Sequence, residues 1–359
     1  MYSWVLGVAL ALWAPTPAAP SDPVMQPPAQ VMALPPALQD EFRRKVLAGR
    51  PGQMQKLERL VHFVFDADAL GMTYQDDATN TVAESYATRK ANCMGFTLLF
   101  LALAREAGLD AYPQEVGETL TWHEVGGTIY RNDHINAGVL VATDRYTLDV
   151  AGDLVFSLHP PVRVSDQRLL AHYYNNLAIE DFLHDRLAPA LELMAQALAL
   201  DESYAPHWSN AGVLYLHNGD QAGAERAYAR ALSLDPRNAS ALLNVIDLAR
   251  RTGDHAREEA FRQRLARVQQ HDPLQQFIRG LDYERLGDYP HAIEHYRHAI
   301  QLHHDEHRFY SALARVYLLS GDTRQAGKAL QRASTYSNGA TRAAYQAQLQ
   351  DLQKDLQTP

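Results

Sequence analysis

Residues 205–238 read APHWSNAGVLYLHNGDQAGAERAYARALSLDPRN, and this stretch decides most of the fold. Trp208, Gly212 and Tyr215 fall at helical spacing before Gly219-Asp220, and a second helical pattern of Ala224, Tyr228 and Ala231 runs on to Pro236. The segment therefore reads as two helices joined by a tight turn. The Gly-Asp pair returns at Gly253-Asp254, Gly287-Asp288 and Gly321-Asp322, each time 34 residues on, with Ala224, Ala292 and Ala326 five residues after their glycines. Glycine permits the left-handed turn, and a small alanine lets the paired helices approach. One step back, Tyr174, Ala178, Ala190, Met194 and Ala197 hold the same places, although Asp185 stands where the turn glycine should be. The unit from Ala239 is degenerate in its second helix, where Glu258 takes the small-residue position.

The 34-residue period and its residue pattern resemble the tetratricopeptide repeat family. That resemblance implies five repeats over residues 171–340, followed by a helical tail at 341–359. Single units of this kind cannot bury their apolar faces alone, so they stack into a superhelix with a concave groove. By the family's geometry the groove would be lined by Asn175, Ile179, Ser209, Val213, Asp247, Arg251, Phe277, Leu281, Ser311 and Arg315. A protein or peptide partner is implied. The set holds no coherent basic cluster, so a clamp for a terminal carboxylate is not expected.

Ahead of the repeats the texture differs. The chain has 359 residues, a net charge of −9 and 47% apolar residues, which allows two or three domains and gives no basic footprint for nucleic acid. Residues 1–19 begin with a short apolar run that ends in small residues and read as a secretory signal peptide, although the run has no Lys or Arg before it. A periplasmic or secreted location with no stable membrane span after processing follows from that reading. Residues 20–36 lie within a stretch, 15–36, that carries eight prolines and reads as a linker. Leu38, Phe42 and Val46, then Leu57, Leu60 and Val64, mark two helices.

Cys93, the single cysteine, opens the next helix. Phe96, Leu99, Leu103 and Ala107 repeat at helical spacing from it and stop at Gly108, while Asn92 is a good N-cap. A thiol in the first turn faces unpaired N–H groups and the positive end of the helix dipole, which is where a cysteine nucleophile is best placed. Short strands follow at 111–116, 126–130, 135–142 and 145–150, the last two joined by a turn at Thr143-Asp144. His134 precedes the third strand and Asp149 lies in the fourth.

The order Cys93, His134, Asp149, on a helix and two adjacent antiparallel strands, together with RKANCMGFTLLFLALAREAGLDAY, resembles the transglutaminase-like superfamily, whose fold is that of papain-like cysteine peptidases. The resemblance implies an α+β domain at 37–165 joined to an all-α repeat solenoid. It implies Cys93 as nucleophile, His134 as general base and acid, and Asp149 as the group that orients the imidazole. A two-residue turn at Thr143-Asp144 would pair Asp149 with Gly138 rather than with His134; a wider loop or a bulge would bring them closer, and Asp153 is the fallback orienter.

Two function classes stand at this point. One is a cell-envelope cysteine acyl-transfer or peptidase-like enzyme whose repeats hold a protein substrate; the other is a non-catalytic binding scaffold whose cysteine domain is a relic or a peptide-binding module. No cofactor is expected. His291, His295, His298, His303, His304 and His307 include helical i,i+4 pairs, but no carboxylate or cysteine completes a metal set at useful spacing. His123 reads as a loop residue. Because repeat arrays stabilise themselves through nearest neighbours, the two halves are expected to work separably; the alternative is that the first repeat, with His172, Tyr173 and Tyr174, packs on the cysteine domain and holds it in shape, and the short connection at 162–171 implies some contact.

Overall fold

The computed structural model describes residues 25–117, 122–125, 128–131, 134–150 and 160–355. The expected signal peptide and Asp153 lie outside the described residues. Helices α1 (Pro28–Val31), α2 (Pro36–Lys45) and α3 (Gln53–Phe65) lead to the short strand β1 (Thr73–Tyr74) and helix α4 (Val82–Thr88). Strand β2 (Lys90–Ala91) then runs into α5 (Cys93–Glu106). Next come β3 (Asp110–Val116), β4 (Trp122–Val125), β5 (Thr128–Arg131), β6 (His134–Val141), β7 (Asp144–Leu148) and β8 (Val162–Arg163).

Helix α5 is apolar nearly all round because it is covered on several sides. Met94, Leu98, Leu99, Leu101 and Leu103 are fully buried, and the helix packs on β3, β6, α3 and α4. Gly95 has no substitute here, since a Cβ would lie 2.9 Å from that of Ala91 and 3.4 Å from the Ala78 carbonyl. The sheet over which α5 lies is small and antiparallel, in the order β7-β6-β3-β8. Strands β4 and β5 pair with each other, and β5 lies against helices of the repeat array.

The β6–β7 register corrects the expected turn. Val141 pairs with Asp144, so the two turn residues are Ala142 and Thr143, with Ala142 in the left-handed region at φ 54°. Gly138 consequently faces Thr147 and Ala137 faces Leu148, which puts Asp149 one step further on, beside Asn136. Side chains of residues two apart on a strand share a face, so Asp149 and His134 are diagonal neighbours. No bulge or wider loop is needed.

The rest of the chain is five antiparallel helix pairs: α6 (Asp166–Leu183) with α7 (Leu187–Leu200), α8 (Ala205–His217) with α9 (Gln221–Leu234), α10 (Ala239–Thr252) with α11 (His255–Gln270), α12 (Pro273–Arg285) with α13 (Tyr289–Leu302), and α14 (His307–Leu319) with α15 (Thr323–Tyr336). Helix α16 (Gly339–Asp355) packs on α15. Both members of the recurring Gly-Asp pair have a task. The glycines sit at φ 73° to 83°, and the aspartates cap the second helices, accepting N–H bonds from Gly223, Arg257, His291 and Gln325. In the first pair Asp185 takes the left-handed conformation at φ 61°, which Asp tolerates better than most residues, and no side chain caps α7. Glu258 is kept in its crowded position by Arg262 at 2.6 Å and Arg250 at 3.6 Å.

The core does not respect the expected boundary. One apolar cluster runs from Val31, Phe42 and Leu60 through α5 to Tyr173, Tyr174, Met194 and Leu214. The described end of the proline-rich stretch reaches it: Val31 is fully buried, and the Tyr174 hydroxyl donates to the Gln26 carbonyl at 2.6 Å. Residues 26–31 therefore pack as a strap on α6 rather than as a solvated linker. Arg105 donates two parallel hydrogen bonds to the Asp166 carboxylate, at 2.7 and 2.8 Å, across the same junction. The far repeats have a separate core around Phe277, Tyr296, Phe309 and Tyr317, closed by Tyr345 of α16.

Candidate functional site

Asn92 sets the start of α5. Its backbone is extended, and its Oδ1 accepts the Gly95 N–H at 3.1 Å, so Cys93 occupies the first helical position. The Asn92 amide is itself fixed: Nδ2 donates to Thr79 Oγ1 at 2.7 Å, and Thr79 in turn bonds to the carboxyl of Glu180 on α6. A side chain of the first repeat is thus two hydrogen bonds away from the cap of the cysteine helix. Burial pushes Glu180 up to about 7, with the Thr79 bond opposing the rise and the nearby charges of Asp77 and Asp181 adding to it. Below Cys93, the Thr97 hydroxyl sits 2.8 Å from the Cys93 carbonyl and 3.1 Å from the Ile135 carbonyl, tying the first turn of α5 to β6.

His134 is the first residue of β6 and is 5% exposed. Its Nε2 lies 2.6 Å from Asp149 Oδ2, which also accepts from Asn136 Nδ2 at 3.0 Å. The side chain of Cys93 also bonds the same imidazole. Burial by itself would lower the basicity of His134. The bonds to Asp149 and Cys93, with their negative charge, outweigh it and lift His134 to about 9. The three residues singled out from the sequence are therefore in mutual contact through the imidazole. Asn136, Thr97 and Glu180 were not singled out. Asn136 was within reach of a reading that follows β6 at period two from His134; Glu180 was not, because nothing in its own stretch refers to Asn92.

A cavity of about 250 Å³ opens beside the sulfur, lined by Cys93, Phe96, Phe100, Val64, Leu148 and Asp149 among others. Phe65 stacks on Phe96 at 5.6 Å on its wall.

The repeats present a different surface from the one expected. Asn175, Ile179, Ser209, Val213 and Phe277 are buried, and only Asp247, Arg251, Leu281, Ser311 and Arg315 keep part or most of their surface. First helices of adjacent repeats bond to each other through this face, Asn175 with Asn210 at 2.9 Å and Ser209 with Asn244 at 3.3 Å, and β5 lies against α8 and α10. The histidines of α13 and α14 are dispersed. His291 bonds Asp288 at 2.7 Å, His295 bonds Gln276 at 2.8 Å and His307 bonds the Tyr345 hydroxyl at 3.0 Å. Among the described residues no three His, Cys, Asp or Glu side chains gather to hold a metal ion. The side chain of His123 lies outside the described residues.

Two family models match the chain, both described as tetratricopeptide repeat, at residues 208–238 and 279–340. These segments are tetratricopeptide repeats. Solved structures similar to the chain include MamA, at 18% identity over 46% of this chain and 91% of that one, with a TM-score of 0.26. YrrB, described as a tetratricopeptide protein with an unusual peptide-binding site, is 18% identical over 50% of this chain and 92% of its own, with a TM-score of 0.26. MamA from Desulfovibrio magneticus RS-1 is 15% identical over 48% and 96%, with a TM-score of 0.27. No curated protein matches the chain. Among the described residues, no helix is long and apolar enough to cross a membrane.

Proposed function

We propose that the chain couples a cysteine-dependent acyl-transfer or peptidase-like site to a tetratricopeptide scaffold that holds a protein or peptide partner. In this reading residues 37–165 form an α+β unit of the transglutaminase-like kind. The observation that carries it is the buried imidazole of His134, bonded on Nε2 by Asp149 at 2.6 Å and meeting the Cys93 side chain at the start of α5.

Each residue then has a step. The Cys93 sulfur, as thiolate, attacks an amide carbonyl, and the Cys93 N–H at the helix start faces the oxyanion. His134 gives its proton to the leaving amine as the carbon–nitrogen bond breaks and a thioester remains. Water or an amine then adds to the thioester, His134 takes a proton from it, and the carbon–sulfur bond breaks to restore the thiolate. Asp149 stabilises the imidazolium and holds its tautomer, and Asn136 steadies Asp149. No metal or cofactor has a step. Iodoacetamide tests the reading directly: alkylation of Cys93 at pH 7 should outpace a free thiol and fall by at least about 10-fold in His134→Ala. Equal rates in the two proteins would remove the catalytic assignment.

A second reading, a non-catalytic scaffold, is favoured by the family matches, both of which lie in the repeats. Under it, Cys93→Ala retains partner binding and the unsubstituted protein turns over no acyl substrate. Under either reading the first residues act as an export signal, and fractionation of cells making the full chain checks the periplasmic or secreted location.

A further inference from the structure

The cavity beside Cys93 has a chemistry of its own. Of its described lining residues only Cys93 and Asp149 ionise, and both stand at the site of reaction. The remaining wall is aliphatic and aromatic except for two threonines, and both threonine hydroxyls are already used. Thr97 bonds the Cys93 and Ile135 carbonyls, and Thr147 bonds Gln114 Oε1 at 3.2 Å. Each hydroxyl proton is spent there, so an entering carboxamide finds acceptors for its N–H groups but no side-chain donor for its carbonyl, and it regains only part of the hydration it loses.

Size narrows the choice further. An apolar cavity of about 150 Å³ accommodates benzene, so one of about 250 Å³ takes a leucine, methionine or phenylalanine side chain and is oversized for alanine. The walls are fixed by secondary structure, with Val61 and Val64 from α3, Phe96 and Phe100 from α5, and Leu148 beside Asp149.

We propose that this cavity selects the acyl donor: the residue whose carbonyl is attacked by Cys93 carries a medium-to-large apolar side chain, in a peptide, and not a glutamine carboxamide. The inference rests on the reading of Cys93 as the nucleophile. The peptide is preferred over a lipid acyl chain because the same chain carries a repeat array of the protein-binding kind, whose first helix, α6, is tied to the cap of the cysteine helix through Glu180 and Thr79.

The test uses the full chain and N-acetyl amino-acid chloromethyl ketones that differ only in side chain: Ala, Gln, Leu and Phe. Attack by the Cys93 sulfur forms a carbon–sulfur bond and expels chloride, and intact-mass spectrometry follows the rate. Leu and Phe should exceed Ala and Gln by roughly 10- to 100-fold. Iodoacetamide, too small to fill the cavity, reads thiol activation alone, so a failure of the nucleophile assignment shows in that rate and a failure of the cavity assignment in the ratio of the ketones. Ala137→Leu narrows the cavity and should lower the rate with the Phe ketone relative to that with iodoacetamide. Gln reacting as fast as Phe overturns the inference. So does a plain octyl chloromethyl ketone that outpaces the Phe reagent, which would assign the cavity to a lipid acyl chain.

Discussion

The near and far ends of the repeat array are built from the same 34-residue unit and are held in different ways. Near the cysteine helix, α6 to α9 share one apolar core with α2, α3 and α5, and their first helices are joined by buried polar contacts such as Asn175 with Asn210. At the far end, α12 to α16 bury Phe277, Tyr296 and Phe309 in a core of their own, with Arg315 bonded to Glu284 at 2.5 Å at the surface. Repeats of one family can thus serve as the wall of a neighbouring domain at one end and as an independent solenoid at the other. On this division of the core, separable folding is expected for the far end and not for the near one.

The largest expected effect comes from cutting the chain on either side of that divide. A fragment of residues 25–165 would expose the face on which Tyr173, Tyr174 and Met194 pack, and it should aggregate or elute as an expanded species on size-exclusion chromatography. Residues 25–270 keep the shared core and should retain accelerated Cys93 alkylation. A soluble, reactive short fragment would erase the difference between the two ends.

Next in size are matched core truncations. Tyr174 and Phe309 are both fully buried, and replacing either with Ala costs about 3–5 kcal/mol by the usual range for large aromatic side chains. The location of the damage should differ. Tyr174→Ala also removes the bond to Gln26 and should lose the accelerated alkylation of Cys93 as the protein melts, whereas Phe309→Ala should produce an early transition in which that acceleration survives. Hydrogen exchange on the two variants separates these outcomes, and identical protection maps would mean that the array unfolds as one body.

The smallest effect concerns pH. Glu180 titrates near 7 in the folded chain against about 4.5 for an ordinary glutamate, so folding binds a proton between those values. Its contribution is neutral below about pH 4.5, becomes a growing cost as the pH rises to 7, and is complete above that. The cost is at most about 3 kcal/mol. Glu180→Gln should therefore be more stable than the parent at pH 8 by about 1–3 kcal/mol and indistinguishable from it at pH 4. His134, raised to about 9, acts over a higher window: its stabilisation is full below about pH 6.5 and is lost as the pH passes 9. Urea titrations of the Glu180 variant across pH 4 to 10 should flatten the lower window and leave the upper one; a flattened upper window would mean that the assignment to Glu180 is mistaken.

What was legible in the sequence was local or periodic. The Gly-Asp spacing announced the helix pairs because the turn needs a left-handed residue and the second helix needs a cap. The start of α5 at Cys93 was readable from Asn92 and the apolar spacing behind it. The β6–β7 turn was misplaced by one residue because Thr143-Asp144 has better turn composition than Ala142-Thr143, and pairing of the strands overrode that preference. The shared core was legible only as a contact: the short connection at 162–171 and the aromatic Tyr173-Tyr174 pointed to packing on the cysteine domain, but nothing in that stretch says that α2, α3 and α5 join the same cluster. The inner face of the near repeats was misjudged for the same reason: Ser209 and Asn175 look like groove residues until the neighbouring first helix is in place.

The hairpin turn also makes the site unusually sensitive to one kind of change. Val141 and Asp144 close a loop whose length alone sets where Asp149 falls relative to His134. Strand side chains alternate, so one residue added at Ala142 with the two-residue turn kept would turn every position of β7 to the opposite face, and Asp149 would point away from the imidazole while its chemistry stayed intact. Among natural variants of this hairpin, point substitutions should therefore be freely sampled, while insertions and deletions should arrive in pairs of residues or not at all.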